Sequence, residues 1–237
     1  MPITVEVVDP QAAEKDIDKV FLYFEVVDKK FSTFRKDSEI SLINDKRLMI
    51  DESSKDMQTI FKLAGQTKRE TNGYFDIRRA NKYDPLGLVK GWAILNAARI
   101  LDESGFKNYF IEAGGDIQVS GKNNQGESWK VGIRNPFNTE QIVKVVRLSH
   151  EGIATSGTYL RGKHIYNPKN QFKPADEIAS MTVIGPNIYE ADRFATATFV
   201  IGKEGINFIE AQLNLEGYMI DKEGVATMTS GFDKYAV

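Results

Sequence analysis

The chain has 237 residues, 41% of them apolar and 27% charged, with a formal net charge of −2 from 31 basic and 33 acidic residues. That length carries a sizeable core, and the near-balance of charge lacks the basic surplus expected of a protein that grips nucleic acid. Cysteine is absent, which excludes disulfides, thiolate nucleophiles and zinc–cysteine sites. No apolar run approaches the ~20 residues that span a bilayer. The first residues lack a basic-then-apolar export signal, so the sequence as written reads as a soluble cytoplasmic protein, or as the trimmed form of an exported one.

Ile3, Val5 and Val7 alternate with polar residues and predict a half-buried strand. Asp9-Pro10 then reads as a helix cap with proline in the first turn. Ile17, Val20, Phe21, Phe24, Val27 and Phe31 follow at spacings of three and four and form the stripe of a first helix. After it, residues 31–44 read as a capped turn in which Asp37 or Ser38 starts a short helix. A second helix begins near Ser53, buries Met57, Ile60, Phe61 and Ala64, and ends in the turn Thr71-Asn72-Gly73. A third runs over about 88–103 and stops at Gly105. Strands are expected at 109–112, 117–120, 129–134, 142–148, 152–155 and 180–184, helices at 191–201 and 204–213, and a closing hairpin pairs 217–220 with 225–229. Helices and strands mix without a steady βαβ alternation, which predicts an α+β fold with mainly antiparallel sheets. No Gly-x-Gly-x-x-Gly follows a strand and no P-loop occurs, so a Rossmann or P-loop nucleotide site is not expected.

Several segments carry chemistry-bearing residues, each with a plainer reading beside it. Asp192 and Thr196 are four apart and share a helix face. A carboxylate and a hydroxyl there suit a hard cation such as magnesium, although an Asp stabilising the helix dipole is the commoner cause of such a pair. Gly114-Gly115-Asp116 follows an apolar strand; its amides suit phosphate, or it is a hairpin turn. The stretch 84–92 enters a helix, where free amides and Lys90 favour anions. Gly87 and Gly91 each cost ~1 kcal/mol against Ala in a helix, so close packing against a ligand or a neighbouring backbone is expected there. Thr155, Ser156 and Gly157 are anion-binding groups or turn formers. His150 lies in a polar turn and reads as solvated. His164 precedes a proline turn and is a general-base candidate, or a hydrogen-bonded structural histidine.

The order of these segments resembles the ApbE family, the FAD:protein FMN transferases. The family's Phe-Ser-x-Phe…Asp-Ser-Glu-x-Ser…Asn element is similar to residues 31–44, its Gly-x-Phe-Asp turn to 73–76, and its Asp-x-Gly-x-x-x-Lys-Gly element to 84–91. Its Gly-Gly-Asp turn, Trp-x-Val-Gly-Ile-x-x-Pro strand and Thr-Ser-Gly segment stand here at 114–116, 129–136 and 155–157. A His-Ile-x-Asp-Pro motif and an Ala-Asp-x-x-Ala-Thr-Ala helix stand at 164–168 and 191–197, with Asn167 in place of the motif's Asp.

The resemblance implies one domain over 1–237, built as two closely joined α+β lobes with FAD in the cleft between them. It implies magnesium held by Asp192 and Thr196 with a backbone carbonyl, that of Val89. Ser38, Asp76, Lys90, Gly114, Gly115, Asp116, Thr155, Ser156, Gly157 and His164 would line the FAD site. His164 and Asp192 would be catalytic, His164 by activating the acceptor hydroxyl. The implied activity is magnesium-dependent transfer of FMN from FAD to a Ser or Thr hydroxyl of an acceptor flavoprotein, a subunit of a respiratory or electron-transfer complex, with AMP leaving. A magnesium-dependent FAD pyrophosphatase and a non-catalytic FAD-binding protein are the alternatives.

Overall fold

In the computed structural model, which describes residues 1–158, 165–170 and 173–237, strand β1 (Ile3–Val7) is followed by helices α1 (Glu14–Phe31), α2 (Glu39–Asn44) and α3 (Lys55–Glu70). A short hairpin, β2 (Arg78–Arg79) and β3 (Lys82–Tyr83), leads into α4 (Leu86–Glu103). Five strands come next: β4 (Tyr109–Ala113), β5 (Asp116–Ser120), β6 (Trp129–Asn135), β7 (Asn138–Leu148) and β8 (Gly152–Gly157). A second small hairpin, β9 (Tyr166–Asn167) and β10 (Lys173–Pro174), precedes β11 (Ile178–Gly185), α5 (Ile188–Ile201), α6 (Gly205–Glu210), β12 (Glu216–Asp221) and β13 (Ala226–Met228).

Seven of these strands form one sheet in the order β1-β4-β5-β8-β11-β12-β13, with every neighbouring pair antiparallel. The strand period of two divides its side chains between two cores. Met181, Val183 and Met219 face the helices, where they join Val20, Phe24 and Phe31 of α1, Ile94 and Leu101 of α4, and Phe199 of α5. Ile184, Tyr218 and Ile220 face the other way, with Ile117, Val119 and Ile153. That second face is covered by the long β6–β7 hairpin through Trp129, Val131, Ile133, Val146 and Leu148, and by Phe232 near the C-terminus. The expected α+β architecture with antiparallel sheets is what the chain forms. Among the described residues no helix is long and apolar enough to cross a membrane.

Two local expectations change and one, the start of α3 near Ser53, is refined. Asp9 does not cap α1: its carboxylate accepts hydrogen bonds from the amides of Lys107 (3.0 Å) and Asn108 (2.7 Å), and so fastens the exit of β1 to the entry of β4. A carboxylate before proline serves whichever free amides are nearest, and here those belong to the segment that leads into β4. α1 begins at Glu14, and Asp16 accepts from the amide of Ala13 at 3.3 Å. α3 is capped by Ser54, whose hydroxyl accepts from the amide of Met57, while Ser53 bonds back to the carbonyl of Ile50. α6 ends at Glu210, so Leu213 stands 90% exposed beyond it.

Candidate functional site

The site begins with two missing side chains. A Cβ on Gly152 would lie 2.0 Å from the amide nitrogen of Ile188, and one on Gly91 would lie 2.8 Å from Cβ of Asp192 and 2.9 Å from the carbonyl of Ile188. Only glycine at both positions lets the first turns of α5 wedge between β8 and α4. Gln118 secures the wedge from β5. Its side-chain oxygen accepts from the amide of Ile188 at 2.8 Å, and its amide nitrogen donates to the carbonyls of Val119 (2.9 Å) and His150 (3.1 Å). Asn187 caps α5 by accepting from the amide of Glu190 at 3.0 Å. Arg193, buried, pairs with Glu190 and with Glu70 of α3, which ties a second helix to α5.

These constraints bring Asp192 to α4, where the amide of Gly91 donates to its Oδ2 at 2.8 Å. Lys90 stands one residue earlier. Its Nζ lies 3.6 Å from Oδ1 of Asp192 and forms a closer ion pair with Asp116. Asp116 opens β5 on the helix-facing side, because Ile117 and Val119 face the hairpin. The turn that delivers it holds Gly114 and Gly115 at φ of +61° and +94°, the left-handed region that glycine enters freely. Ser156 faces the same side from β8, with its hydroxyl 3.4 Å from that of Thr196. Lys90, Asp116, Ser156, Asp192 and Thr196 therefore meet where α4, α5 and the sheet converge.

The electrostatics follow from burial. Asp116 is 1% and Asp192 3% exposed. Desolvation pushes the Asp192 carboxyl up to about 7, with Lys90 pulling it down, the neighbouring Asp116 adding to the rise, and the Gly91 amide opposing it. A buried site with two carboxylates and one ammonium has an unmet demand for positive charge.

The remaining sequence-predicted residues divide. Thr155 contributes its amide, which donates to Oδ1 of Asp116 at 3.4 Å, while its hydroxyl turns to the opposite sheet face and meets that of Thr182 at 2.8 Å. Gly157 pairs with Ser180 across β8 and β11. Val89 is buried in the first turns of α4. Ser38 is a buried cap of α2: it accepts from the amide of Ser41 and lies 2.8 Å from the carbonyl of Ser32. Asp76 pairs with Lys68 at 2.6 Å and accepts from the amide of Arg78 at 2.8 Å. Among the described residues, the partners of Ser38 and Asp76 are these local groups rather than Asp116 or Asp192. His164 lies outside the described residues.

The Gly91 amide, Gly152 and Gln118 are the positioning groups that motif spacing missed. Gly91 gave a signal as an unexplained helix glycine, and the cause is the close approach of Asp192. Gln118 gave none, being one polar residue in a strand.

Fold and site define an α+β protein with a buried, oxygen-lined carboxylate cluster between two helices and the face of an antiparallel sheet. The model of the ApbE family matches residues 1–82 and 78–219, and the chain belongs to that family. Among curated relatives, the FAD:protein FMN transferase of Escherichia coli (strain K12) is 34% identical over 144 residues, 57% of this chain and 41% of the relative. That of Haemophilus influenzae is 30% identical over 164 residues, 64% of this chain and 47% of the relative. The matched part thus spans less than half the length of these relatives. In structure, the chain is similar to the flavin transferase ApbE from Vibrio cholerae, with a TM-score of 0.85 at 23% identity over 98% of this chain and 95% of that one. It is likewise similar to the ApbE protein from Thermotoga maritima, with a TM-score of 0.84 at 20% identity over 99% and 94%. These structural likenesses show the fold.

Proposed function

We propose that this chain transfers the FMN half of FAD to a Ser or Thr hydroxyl of an acceptor flavoprotein, a subunit of a respiratory or electron-transfer complex, in a magnesium-dependent reaction that releases AMP. The observation that carries this reading is the convergence of Asp192, Asp116 and Lys90 beside the Thr196 and Ser156 hydroxyls. Family membership and relatives named FAD:protein FMN transferase support it.

The donor set fits magnesium. Among the described residues it offers carboxylate and hydroxyl oxygens and no imidazole or sulfur ligand, which is what a hard divalent cation selects. Asp192 and Thr196 would hold the ion through side chains, with a backbone oxygen of the α4 entry, that of Val89, completing the protein's share. When bound, the ion supplies charge neutralisation at the diphosphate of FAD.

The chain's own groups do the rest. Lys90 neutralises Asp116 and offers a cation to a diphosphate oxygen. The Gly114 amide donates to the carbonyl of Pro2 at 3.2 Å, and the Gly115 amide, in the same left-handed turn beside Asp116, suits a phosphate. The sheet and α5 exclude water from Asp192. Phosphoryl transfer relies on positioning and charge neutralisation more than on covalent help. The acceptor oxygen bonds to the FMN phosphorus, the bond to the AMP oxygen breaks, and the hydroxyl proton passes to a base, for which the sequence offers His164.

The test is incubation of the full chain with FAD and magnesium, with and without an acceptor domain, read by intact mass and chromatography. A mass gain on the acceptor equal to covalent FMN, with AMP released, is the expected result. FMN and AMP without that gain would replace this reading with an FAD pyrophosphatase, and FAD bound but intact would replace it with a carrier.

A further inference from the structure

A hollow of about 720 Å³ opens between the end of α2, the segment that follows it, α3 and the β2–β3 hairpin. It shares no residue with the carboxylate cluster. Its floor is apolar, formed by Ile43, Leu48 and the ring of Tyr83, and Met49 stands 62% exposed at its edge. Lys46 and Arg78, both exposed, border it. A second, shallower hollow continues along α3 between Lys55 and Lys62, and Gln58 lines both.

The two hollows form one open trough with four cations against a single carboxylate, Asp51, in a chain whose net charge is −2. Among the described residues no carboxylate lies within ion-pair distance of Lys46, Lys55, Lys62 or Arg78, whereas Lys30 and Lys68 nearby are paired with Asp56 and Asp76. An apolar floor with an uncompensated basic rim is complementary to an apolar side chain flanked by carboxylates. The open shape suits a chain segment, since small-molecule sites bury most of their ligand.

Position supports the same occupant. The β2–β3 hairpin runs directly into α4, the helix that carries Lys90. At the other end of α3, Thr67 lies 3.5 Å from Arg193, the neighbour of Asp192. Gln58 precedes Thr67 by nine residues, about 13 Å along a helix, a distance that about four extended residues cover.

We propose that this trough docks an acidic, apolar-anchored segment of the acceptor protein and so holds the acceptor while its hydroxyl reaches the cluster. The inference rests on the transferase reading above. It makes the trough a determinant of acceptor recognition that takes no part in flavin chemistry.

The experiment uses the full chain with FAD, magnesium and an acceptor domain that the unmodified protein flavinylates. KM for the acceptor, KM for FAD and kcat are measured at low and high salt. Reversing two rim charges in Lys46→Glu/Lys62→Glu is expected to raise the acceptor KM by about five- to tenfold at low salt, to flatten its salt dependence, and to leave kcat and the FAD KM unchanged. Met49→Asp is expected to raise the acceptor KM alone. An acceptor KM unchanged in both variants overturns the proposal. So does a loss of binding to phosphatidylserine vesicles without a change in acceptor KM, which would assign the face to a lipid surface. Lys55→Glu/Arg78→Glu provides a second charge reversal should the first pair fail to fold. Absence of transfer by the unmodified protein would remove the transferase reading itself, whereas transfer with an unaltered acceptor KM would remove only the docking role.

Discussion

Gly91 and Asp192 touch through the backbone of one and the side chain of the other: the Gly91 amide donates to Oδ2 at 2.8 Å, and a methyl on Gly91 would meet Cβ of Asp192 at the same distance. In an ordinary helix interior Gly→Ala gains ~1 kcal/mol. Here the added methyl also meets the carbonyl of Ile188 at 2.9 Å, and a backbone atom cannot rotate aside. Gly91→Ala is therefore expected to destabilise the protein, by about 1–3 kcal/mol, and to weaken magnesium binding at the proposed site by displacing Asp192. Thermal denaturation with and without magnesium checks both effects. A raised melting temperature would show that α4 and α5 do not pack this closely.

Lys90 is the only ammonium in contact with both Asp116 and Asp192 among the described residues. Removing one member of a buried charge set leaves the others uncompensated, at a cost of about 3–5 kcal/mol. Lys90 is itself 19% exposed, which places Lys90→Gln near or below the lower end of that range. The double variant with Asp116→Asn removes one of the orphaned charges and is expected to recover much of the loss. A denaturant-unfolding cycle measures the coupling, and additive costs would mean that the two groups do not interact.

Legibility in the sequence tracked the length over which a pattern repeats. α1 was visible because Val20, Phe24, Val27 and Phe31 repeat over most of its eighteen residues, and β11 because Met181, Thr182, Val183 and Ile184 follow one another as apolar or β-branched residues. The hairpins β2–β3 and β9–β10 have two-residue strands, too short to show any period. Asp9 was misread because its partners, Lys107 and Asn108, lie almost a hundred residues away. In the site, the Asp192–Thr196 spacing was readable within one helix. The meeting of Asp192 with Lys90 and Asp116 was not, since three elements had to pack first, and Gln118 became meaningful only once β5 lay against the start of α5. The shared order of motifs names Lys90, Asp116 and Asp192 together, and packing brings those three side chains into contact, which no single spacing foretells.

Asp192 has the strongest case for a direct part in catalysis. Asp192→Asn keeps the shape, and the Gly91 amide can still donate to the side-chain oxygen, but the charge is gone. Magnesium-dependent FMN release from FAD is expected to fall on the order of a hundredfold or more, because Lewis-acid charge stabilisation is worth several kcal/mol and each 1.36 kcal/mol is tenfold in rate. Stability without metal is expected to hold or rise, since burial opposes the charged form of this carboxyl. Turnover at the original rate in that variant would remove Asp192 from the proposed metal site.

Asp9 sets an acid-side limit on stability. Partial burial works against its ionised form, but the amides of Asn108 and Lys107 and the Asn108 side chain outweigh that effect and hold its carboxyl below the ordinary value. A carboxyl depressed in the folded state contributes stability that is fully present above the unfolded value, about 3.9, and is lost as pH falls through the lower folded value. Asp9→Ala is therefore expected to cost about 1 kcal/mol at neutral pH, the worth of a partly solvated carboxylate–amide contact. The gap between variant and unmodified protein should close as pH falls below about 4. Urea unfolding at several pH values between about 3 and 7 measures this directly. A gap that stays constant across the range would mean that the contribution of Asp9 does not depend on its charge, and that the tie between β1 and β4 is made by shape and backbone pairing alone.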